Sequence, residues 1–304
     1  MSIYVVGHKS PDTDSVASAI AYAAFKKAQG VDATPAMQGE LNPESKLVLD
    51  RFGFAAPEIM TDAAGKQLIL VDFSDIAQGP ANMSDVVEVV DHHKIGDVTT
   101  NSPIFFYAKP VGCTCTVINE IFKTNGIAID KNIAGIMTAA ILSDTVNFKS
   151  PTCTPEDKVA VKELAATAGI TDTDSLFMDM LKSKSAIDGI PIKDLLNRDY
   201  KDFDMNGKKV GIGQLELATL DQAAAVRADL VKAMETLKAE GRHSVLFMLT
   251  DVVKEGTDLL IVSEDNALIE KAFNGKLDNG SMWVPGMMSR KKQTVPPLQK
   301  AFGC

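Results

Sequence analysis

The stretch Ile3-Tyr4-Val5-Val6-Gly7-His8-Lys9-Ser10-Pro11-Asp12-Thr13-Asp14-Ser15 joins an apolar run to a loop that holds one histidine and two aspartates. Ile3–Val6 reads as a strand, and residues 15–29 read as a helix stopped by Gly30. The loop between them lets side chains at i, i+4 and i+6 converge, which one strand or one helix does less easily. The same strand-then-polar pattern recurs downstream. Leu68–Val71 reads as a strand ending at Asp72, and Val86–Val90 as a strand ending in Asp91-His92-His93-Lys94. Helical patterns cover Pro43–Phe52, Thr114–Lys123, 131–142 (with Asp144 just past the end), 154–168 and 173–182. Strands alternating with helices predict an α/β fold whose mostly parallel sheet is covered on both faces. Functional residues on such a sheet gather at the carboxyl ends of the strands. His8, Asp72 and the Asp91-His92-His93 run are therefore expected along one edge.

The texture changes after Ser183–Asp194, which has mixed polarity around Gly189-Ile190-Pro191. The predicted division is a catalytic domain over 1–186, a linker over 187–194 and a smaller α/β domain over 195–304. Tyr200–Met205, Asn206-Gly207 and Lys208–Gln214 read as a β-hairpin with a type I′ turn. Residues 220–239 read as one long helix, and 244–250 and 259–262 as strands. The tail carries Ser289-Arg290-Lys291-Lys292-Gln293, then Pro296 and Pro297.

With 304 residues, 45% apolar and 23% charged, the chain has the composition of a globular protein of two ordinary domains. A net charge of −9 argues against a large basic face for nucleic acid or an anionic membrane. No run of eighteen apolar residues predicts a membrane span, and the N-terminus lacks a basic-then-apolar leader pattern. A cytoplasmic location is expected. Cys113 and Cys115 are read as small buried residues, because no second pair stands at zinc-site spacing.

Three of the four histidines fall in two aspartate-rich motifs. Imidazole with carboxylate suits divalent transition metals. Taken singly, Asp12 or Asp14 is equally a helix cap, Asp72 and Asp144 are equally turn residues, and His243 is a surface residue. Taken together, two histidines and four aspartates exceed the needs of one ion and suit two ions sharing a carboxylate. An oxygen-rich set without thiolate favours Mn²⁺ over structural zinc. Such a site activates a bridging water for in-line displacement at phosphorus. Arg290-Lys291-Lys292 then supplies cations for a phosphate, by bidentate fork and point charge.

The G-H-x-x-P-D-T-D-S loop, the V-D-F-S-D strand end and Asp91-His92-His93 resemble the DHH phosphoesterase superfamily. Leu142-Ser143-Asp144-Thr145, Phe148-Lys149-Ser150-Pro151-Thr152 and Ser289-Arg290-Lys291-Lys292-Gln293 narrow the resemblance to the manganese-dependent family II inorganic pyrophosphatases. The resemblance implies hydrolysis of pyrophosphate to two phosphates by a metal-activated bridging hydroxide. It implies two Mn²⁺ per subunit, with Co²⁺ as an alternative and further Mg²⁺ or Mn²⁺ arriving with substrate. One ion would take His8, Asp12 and Asp72, and the other Asp14, Asp72, His92 and Asp144. His93 would stand beside the phosphate as hydrogen-bond donor or proton source. Arg290, Lys291 and Lys201 would hold substrate from the second domain, across a cleft. Ser10 stands where many members carry asparagine, a change expected to be tolerated. A homodimer and a short form without a regulatory insert are also implied. The competing expectations are an exopolyphosphatase, a DHH-type nucleotide phosphoesterase and a non-catalytic metal-binding protein.

Overall fold

A computed structural model describes residues 3–304. The chain divides into two compact units, one ending at Lys184 and the other running from Ser185 to Cys304. Ile187, inside the stretch expected as a linker, is buried with Leu195, Leu215 and Leu217 and so packs in the second unit's core.

The first unit contains β1 (Ile3–Val6), α1 (Thr13–Ala28), β2 (Ala33–Met37), α2 (Pro43–Phe52), β3 (Glu58–Ile59), β4 (Gln67–Val71), β5 (Asp85–Asp91), β6 (Phe105–Ala108), α3 (Thr114–Thr124), α4 (Lys131–Asp144), α5 (Pro155–Ala168) and α6 (Thr173–Lys184). Its six strands lie in the order β3-β2-β1-β4-β5-β6, and every pairing is parallel. The chain therefore crosses the sheet one way from β1 to β3, then starts again at β4 and crosses the other way. A parallel crossover is right-handed, so reversing the direction of travel moves the connections to the opposite face. Packing agrees with this rule. Val5, Ile69, Val71 and Val90 face a large core that includes α1, α3, α4 and α5. Val6, Leu68, Leu70 and Val89 pack instead against Met60, Ala63 and Phe73, with Met83, Val98 and Ile104 from the loops. Loops rather than helices thus cover the second face.

Local chemistry sets the helix ends. Asn42 accepts the Ser45 amide at 2.8 Å, Pro43 opens α2, and Gly53 closes it at φ 75°. Thr154 and Asp157 form a capping box at the start of α5. Strand β2 escaped the sequence reading because Pro35 interrupts it. Pro35 pairs only with β1, since β3 meets β2 at Ala36 and Met37 alone, so its missing amide breaks no ladder.

The second unit contains α7 (Ile192–Asn197), β7 (Tyr200–Met205), β8 (Lys208–Leu217), α8 (Arg227–Ala239), β9 (Ser244–Asp251), β10 (Gly256–Ser263), α9 (Asn266–Phe273), β11 (Ser281–Pro285) and α10 (Val295–Phe302). Its sheet runs β11-β10-β9-β8-β7, antiparallel except between β8 and β9. The β7–β8 hairpin turns on Asn206 at φ 55° and Gly207 at φ 76°, the signs that a type I′ turn demands. The expected long helix over 220–239 is two pieces. Gln222 Oε1 accepts the Ala218 amide at 2.7 Å and closes a short turn over Leu220–Ala223 before α8 begins at Arg227. The charged, proline-bearing tail is also a helix. Pro296 and Pro297 occupy its first turn, where a missing amide costs little, and Leu298 and Phe302 are buried.

Candidate metal centre

β1 and β4 are neighbours, and the direction of travel reverses between them, which opens a crevice beyond their carboxyl ends. His8 follows β1, Asp72 follows β4, and Asp91 ends β5 ahead of His92 and His93. Gly7 is needed for closeness: a Cβ there would lie 2.7 Å from Ser15 Oγ. That hydroxyl accepts the His8 amide at 3.1 Å and donates to Asp72 Oδ2 at 2.9 Å. Asp12 caps α1 through Oδ1, which accepts the Ser15 amide at 2.9 Å, and Oδ2 faces His8. Capping and the ligand position therefore coexist in one residue. Asp72 has φ 68°, a left-handed conformation that costs a non-glycine residue roughly 1–3 kcal/mol and recurs at functional sites.

The two oxygens of Asp72 look in different directions. Oδ2 lies 3.3 Å from His8 Nε2, and His8 Nε2 lies 3.5 Å from Asp12 Oδ2. Oδ1 lies 3.4 Å from His92 Nε2 and accepts the Thr114 hydroxyl at 3.1 Å. Two groups result, His8 with Asp12 and Asp72, and His92 with Asp14 and Asp144. Within each, the donor atoms lie within 4.8 Å of one another. Backbone carbonyls set the imidazoles. His8 Nδ1 donates to Lys9 O at 2.7 Å and His92 Nδ1 to Val111 O at 3.0 Å, so each Nε2 faces the centre. Asp14 sits at the amino end of α3, where its oxygens accept the amides of Thr114 (2.7 Å) and Cys115 (3.1 Å). His93 is half exposed, and its Nδ1 donates to Asp91 Oδ1 at 3.0 Å. A cavity of ≈ 490 Å³ has His8, Asp72 and His93 in its wall.

Four carboxylates crowd this volume, and the titration of Asp14, Asp72 and Asp144 responds to it. Burial, then the Asp14 charge, pushes Asp144 well up and Asp72 up as well. Burial opposes ionisation of Asp14 too, but the charge of His92 and the bonds from Cys113 and Thr114 hold it at about 2. Burial would lower His8, yet Asp12 and Asp72 overcome it and raise His8 to about 11. His92 rises to about 9 against the same burial, through Asp72 and Asp14. Buried carboxylates repelling one another beside aligned imidazole nitrogens are a donor set that fits divalent cations. Both histidines carry a proton at neutral pH when only protein charges face them. That contribution to stability is full below the unfolded value of about 6.5 and fades as pH rises through 9 and then 11. A metal takes only neutral imidazole. Loading the metal-free protein at pH 7.5 is therefore expected to release at least two protons, one from each imidazole together with any held by the raised Asp144 and Asp72 carboxyls, read calorimetrically in buffers of different ionisation enthalpy. Release of none would contradict this placement.

Cys113 and Cys115 also come within reach of Asp14, but burial pushes the Cys113 thiol well up and Cys115 up to about 12, so both remain neutral. Asp144 is the last residue of α4 rather than a residue beyond it. His243 lies in the second unit, half buried, its ring edge-on to Phe302 at 5.4 Å. Lys201 and Lys291 are exposed in that unit. Arg290 is not free. Its Nη2 donates to Asp199 Oδ1 at 2.6 Å and its Nη1 to Asp199 O, and the side chain is 10% exposed. Nη1 also lies 3.4 Å from Ile212 O, and Ile212 is the register partner of Lys201, so Arg290 and Lys201 share one end of the β7–β8 pair. Sequence reasoning missed Ser15, Thr114 and the Val111 carbonyl. Only Ser15, inside the first motif, left a signal.

A model of the DHH family, N-terminal domain, matches residues 2–141, and one of the DHHA2 domain matches 178–301. A manganese-dependent inorganic pyrophosphatase of Methanothrix thermoacetophila is 48% identical over 99% of this chain and 98% of its own. A protein of Archaeoglobus fulgidus assigned to the same group is 50% identical over 99% and 98%. A crystal structure from Methanococcus jannaschii, assigned to the family II inorganic pyrophosphatases, superposes with a TM-score of 0.62 at 43% identity, covering 99% of this chain and 100% of that one. Fold and centre together define a phosphoesterase of the DHH–DHHA2 class. Within that class, the chain belongs to the manganese-dependent, family II inorganic pyrophosphatases.

Proposed function

We infer that the chain is an inorganic diphosphatase, hydrolysing pyrophosphate to two phosphates. The observation that carries the reading is Asp72, whose two oxygens face two separate histidine–aspartate groups. His8, Asp12 and Asp72 would hold one Mn²⁺, and Asp14, Asp72, His92 and Asp144 a second. Co²⁺ suits the same donors. The bound ions supply Lewis-acid activation of water and neutralise charge at phosphorus. Further Mg²⁺ or Mn²⁺ would accompany the polyanionic substrate.

The remaining steps fall to side chains. Asp91 fixes the His93 ring, and its hydrogen bond raises His93, which suits that imidazole to donate a proton or hydrogen bond to phosphate. Residues 1–186 carry the metal chemistry in this reading, and 195–304 supply Lys201, Arg290 and Lys291 to the substrate oxygens. Pyrophosphate would share the Arg290 fork with Asp199 or displace it. Lys291→Ala is expected to raise KM for pyrophosphate about tenfold, the value of one charge-assisted hydrogen bond, with Mn²⁺ binding unchanged. An unaltered KM would remove Lys291 from the clamp.

A homodimer is favoured by β6, an edge strand on which Phe105 is 47% and Phe106 39% exposed. Light scattering at the monomer mass would overturn it. Four free cysteines favour a cytoplasmic setting, which cell fractionation tests. No helix among the described residues is long and apolar enough to cross a membrane, and the charge of −9 favours no nucleic-acid partner.

Phosphate release from pyrophosphate, tripolyphosphate and a dinucleotide, with Mn²⁺ returned to chelator-stripped protein, tests the reading. Fast release from pyrophosphate alone supports it. Preference for tripolyphosphate would favour an exopolyphosphatase, and preference for the dinucleotide a nucleotide phosphoesterase. Silence on all three would favour the non-catalytic binder.

A further inference from the structure

Asp157 lies on α5 and is fully buried. Its carboxylate accepts four hydrogen bonds: from the Thr154 amide and hydroxyl, both 2.7 Å to Oδ2, from the Gly112 amide at 2.9 Å to Oδ2, and from the Thr116 hydroxyl at 2.6 Å to Oδ1. The Thr154 bonds belong to the capping box of α5 and account for an acid at this position. The other two have no part in capping. They reach 45 and 41 residues back to the entry of α3.

That entry is where the second histidine–aspartate group is held. Between Gly112 and Thr116 lie the amides of Thr114 and Cys115, which grip both oxygens of Asp14. One residue before Gly112 is the Val111 carbonyl, which orients His92. Gly112 itself is wedged. A Cβ there would lie 2.7 Å from Thr145 Cγ2 and 2.9 Å from Asp157 Oδ2, and Thr145 follows Asp144 in sequence. One buried carboxylate therefore fixes the segment that holds Asp14 and His92 and that packs against Thr145, the residue after Asp144. His8 and Asp12 take their bonds elsewhere, from Lys9 O and the start of α1. The shared Asp72 meets this segment through Oδ1, the oxygen facing His92, which accepts the Thr114 hydroxyl, while Oδ2, facing His8, is held by Ser15.

We propose that Asp157 is a positioning residue for one half of the metal centre, setting affinity at the Asp14–His92–Asp144 group and not at the His8–Asp12 group. The inference rests on the two-ion reading above. Removal of such outer partners typically costs 10–100-fold in metal affinity. Asparagine in place of Asp157 could keep an acceptor toward the Gly112 and Thr154 amides and donate to the Thr116 hydroxyl, so the informative change is Asp157→Ala, which removes both acceptor oxygens.

The test is Mn²⁺ titration of the purified chain, with electron paramagnetic resonance reporting free Mn²⁺ and the spin-coupled pair. In Asp157→Ala, one of two Mn²⁺ is expected to bind at least about tenfold more weakly, with loss of the coupled signal at Mn²⁺ levels that saturate the wild type. The other ion should stay within about twofold. Thr154→Ala removes the cap and leaves the Gly112 and Thr116 bonds, so it is expected to lower thermal stability and keep both affinities. Unchanged binding in Asp157→Ala, equal weakening of both ions, or matching weakening in Thr154→Ala would overturn the proposal. Should Asp157→Ala not fold, Thr116→Val carries the test: weakening of one ion alone supports the proposal, and unchanged affinities overturn it. Failure of the wild type to bind two Mn²⁺ would instead sink the two-ion reading and this inference with it.

Discussion

Asp72→Gly is expected to abolish pyrophosphate turnover, by about 10³-fold or more, while the metal-free protein keeps its fold. The expected loss follows from position. Asp72 is the residue whose oxygens face both groups, so its removal deprives two ions of a donor, and metal stabilisation of phosphoryl transfer is worth several kcal/mol. The expected preservation of fold follows from the opposed terms at the same residue. Glycine forfeits the hydrogen bonds from Ser15 and Thr114, each worth about 1 kcal/mol, and the pairing of Asp72 with the His8 and His92 imidazoles. It relieves the left-handed backbone at φ 68° and removes a carboxylate that burial and Asp14 make costly to ionise. These terms nearly cancel, so the thermal midpoint of the metal-free variant should move only a few degrees. A large drop in that midpoint would show Asp72 to be structural, and retained turnover would show that it bridges nothing.

His93→Gln should separate chemistry from metal binding. The ring lies in the cavity wall, is half exposed, and is fixed by Asp91 through Nδ1. General acid catalysis contributes about 10²–10⁴-fold, and kcat is expected to fall within that range. Mn²⁺ stoichiometry and affinity should be unchanged, because His93 stands outside both ligand groups in this account. His93 Nδ1 does lie 3.6 Å from Asp72 Oδ1. Weakened Mn²⁺ binding in the variant would therefore reassign His93 as a ligand.

The parts of this centre that were legible in sequence are those encoded within a few residues. His8, Asp72 and Asp91-His92-His93 each follow a short apolar strand, and period and strand-end logic place them together without knowledge of the pairing. Spacing alone could not reveal what long-range contacts decide. The Val111 carbonyl that sets His92 lies on a segment with no ligand of its own, and the Asp157 carboxylate behind it is also a sufficient helix cap. Arg290 looked free because its partner, Asp199, lies 91 residues away. Strands at the sheet edge or next to it were the least visible elements. β6 carries aromatic residues on both sides and β2 carries a proline, so neither shows the alternation of a half-buried strand. The covering of the second sheet face by loops follows from strand order, which no local pattern records.

The most direct test of the central claim is anomalous diffraction from crystals of the Mn²⁺-loaded protein. Two manganese peaks per chain are expected, one beside His8 and Asp12 and the other beside Asp14, His92 and Asp144, with one carboxylate, Asp72, touching both. A single peak, or two peaks that share no carboxylate, would contradict it.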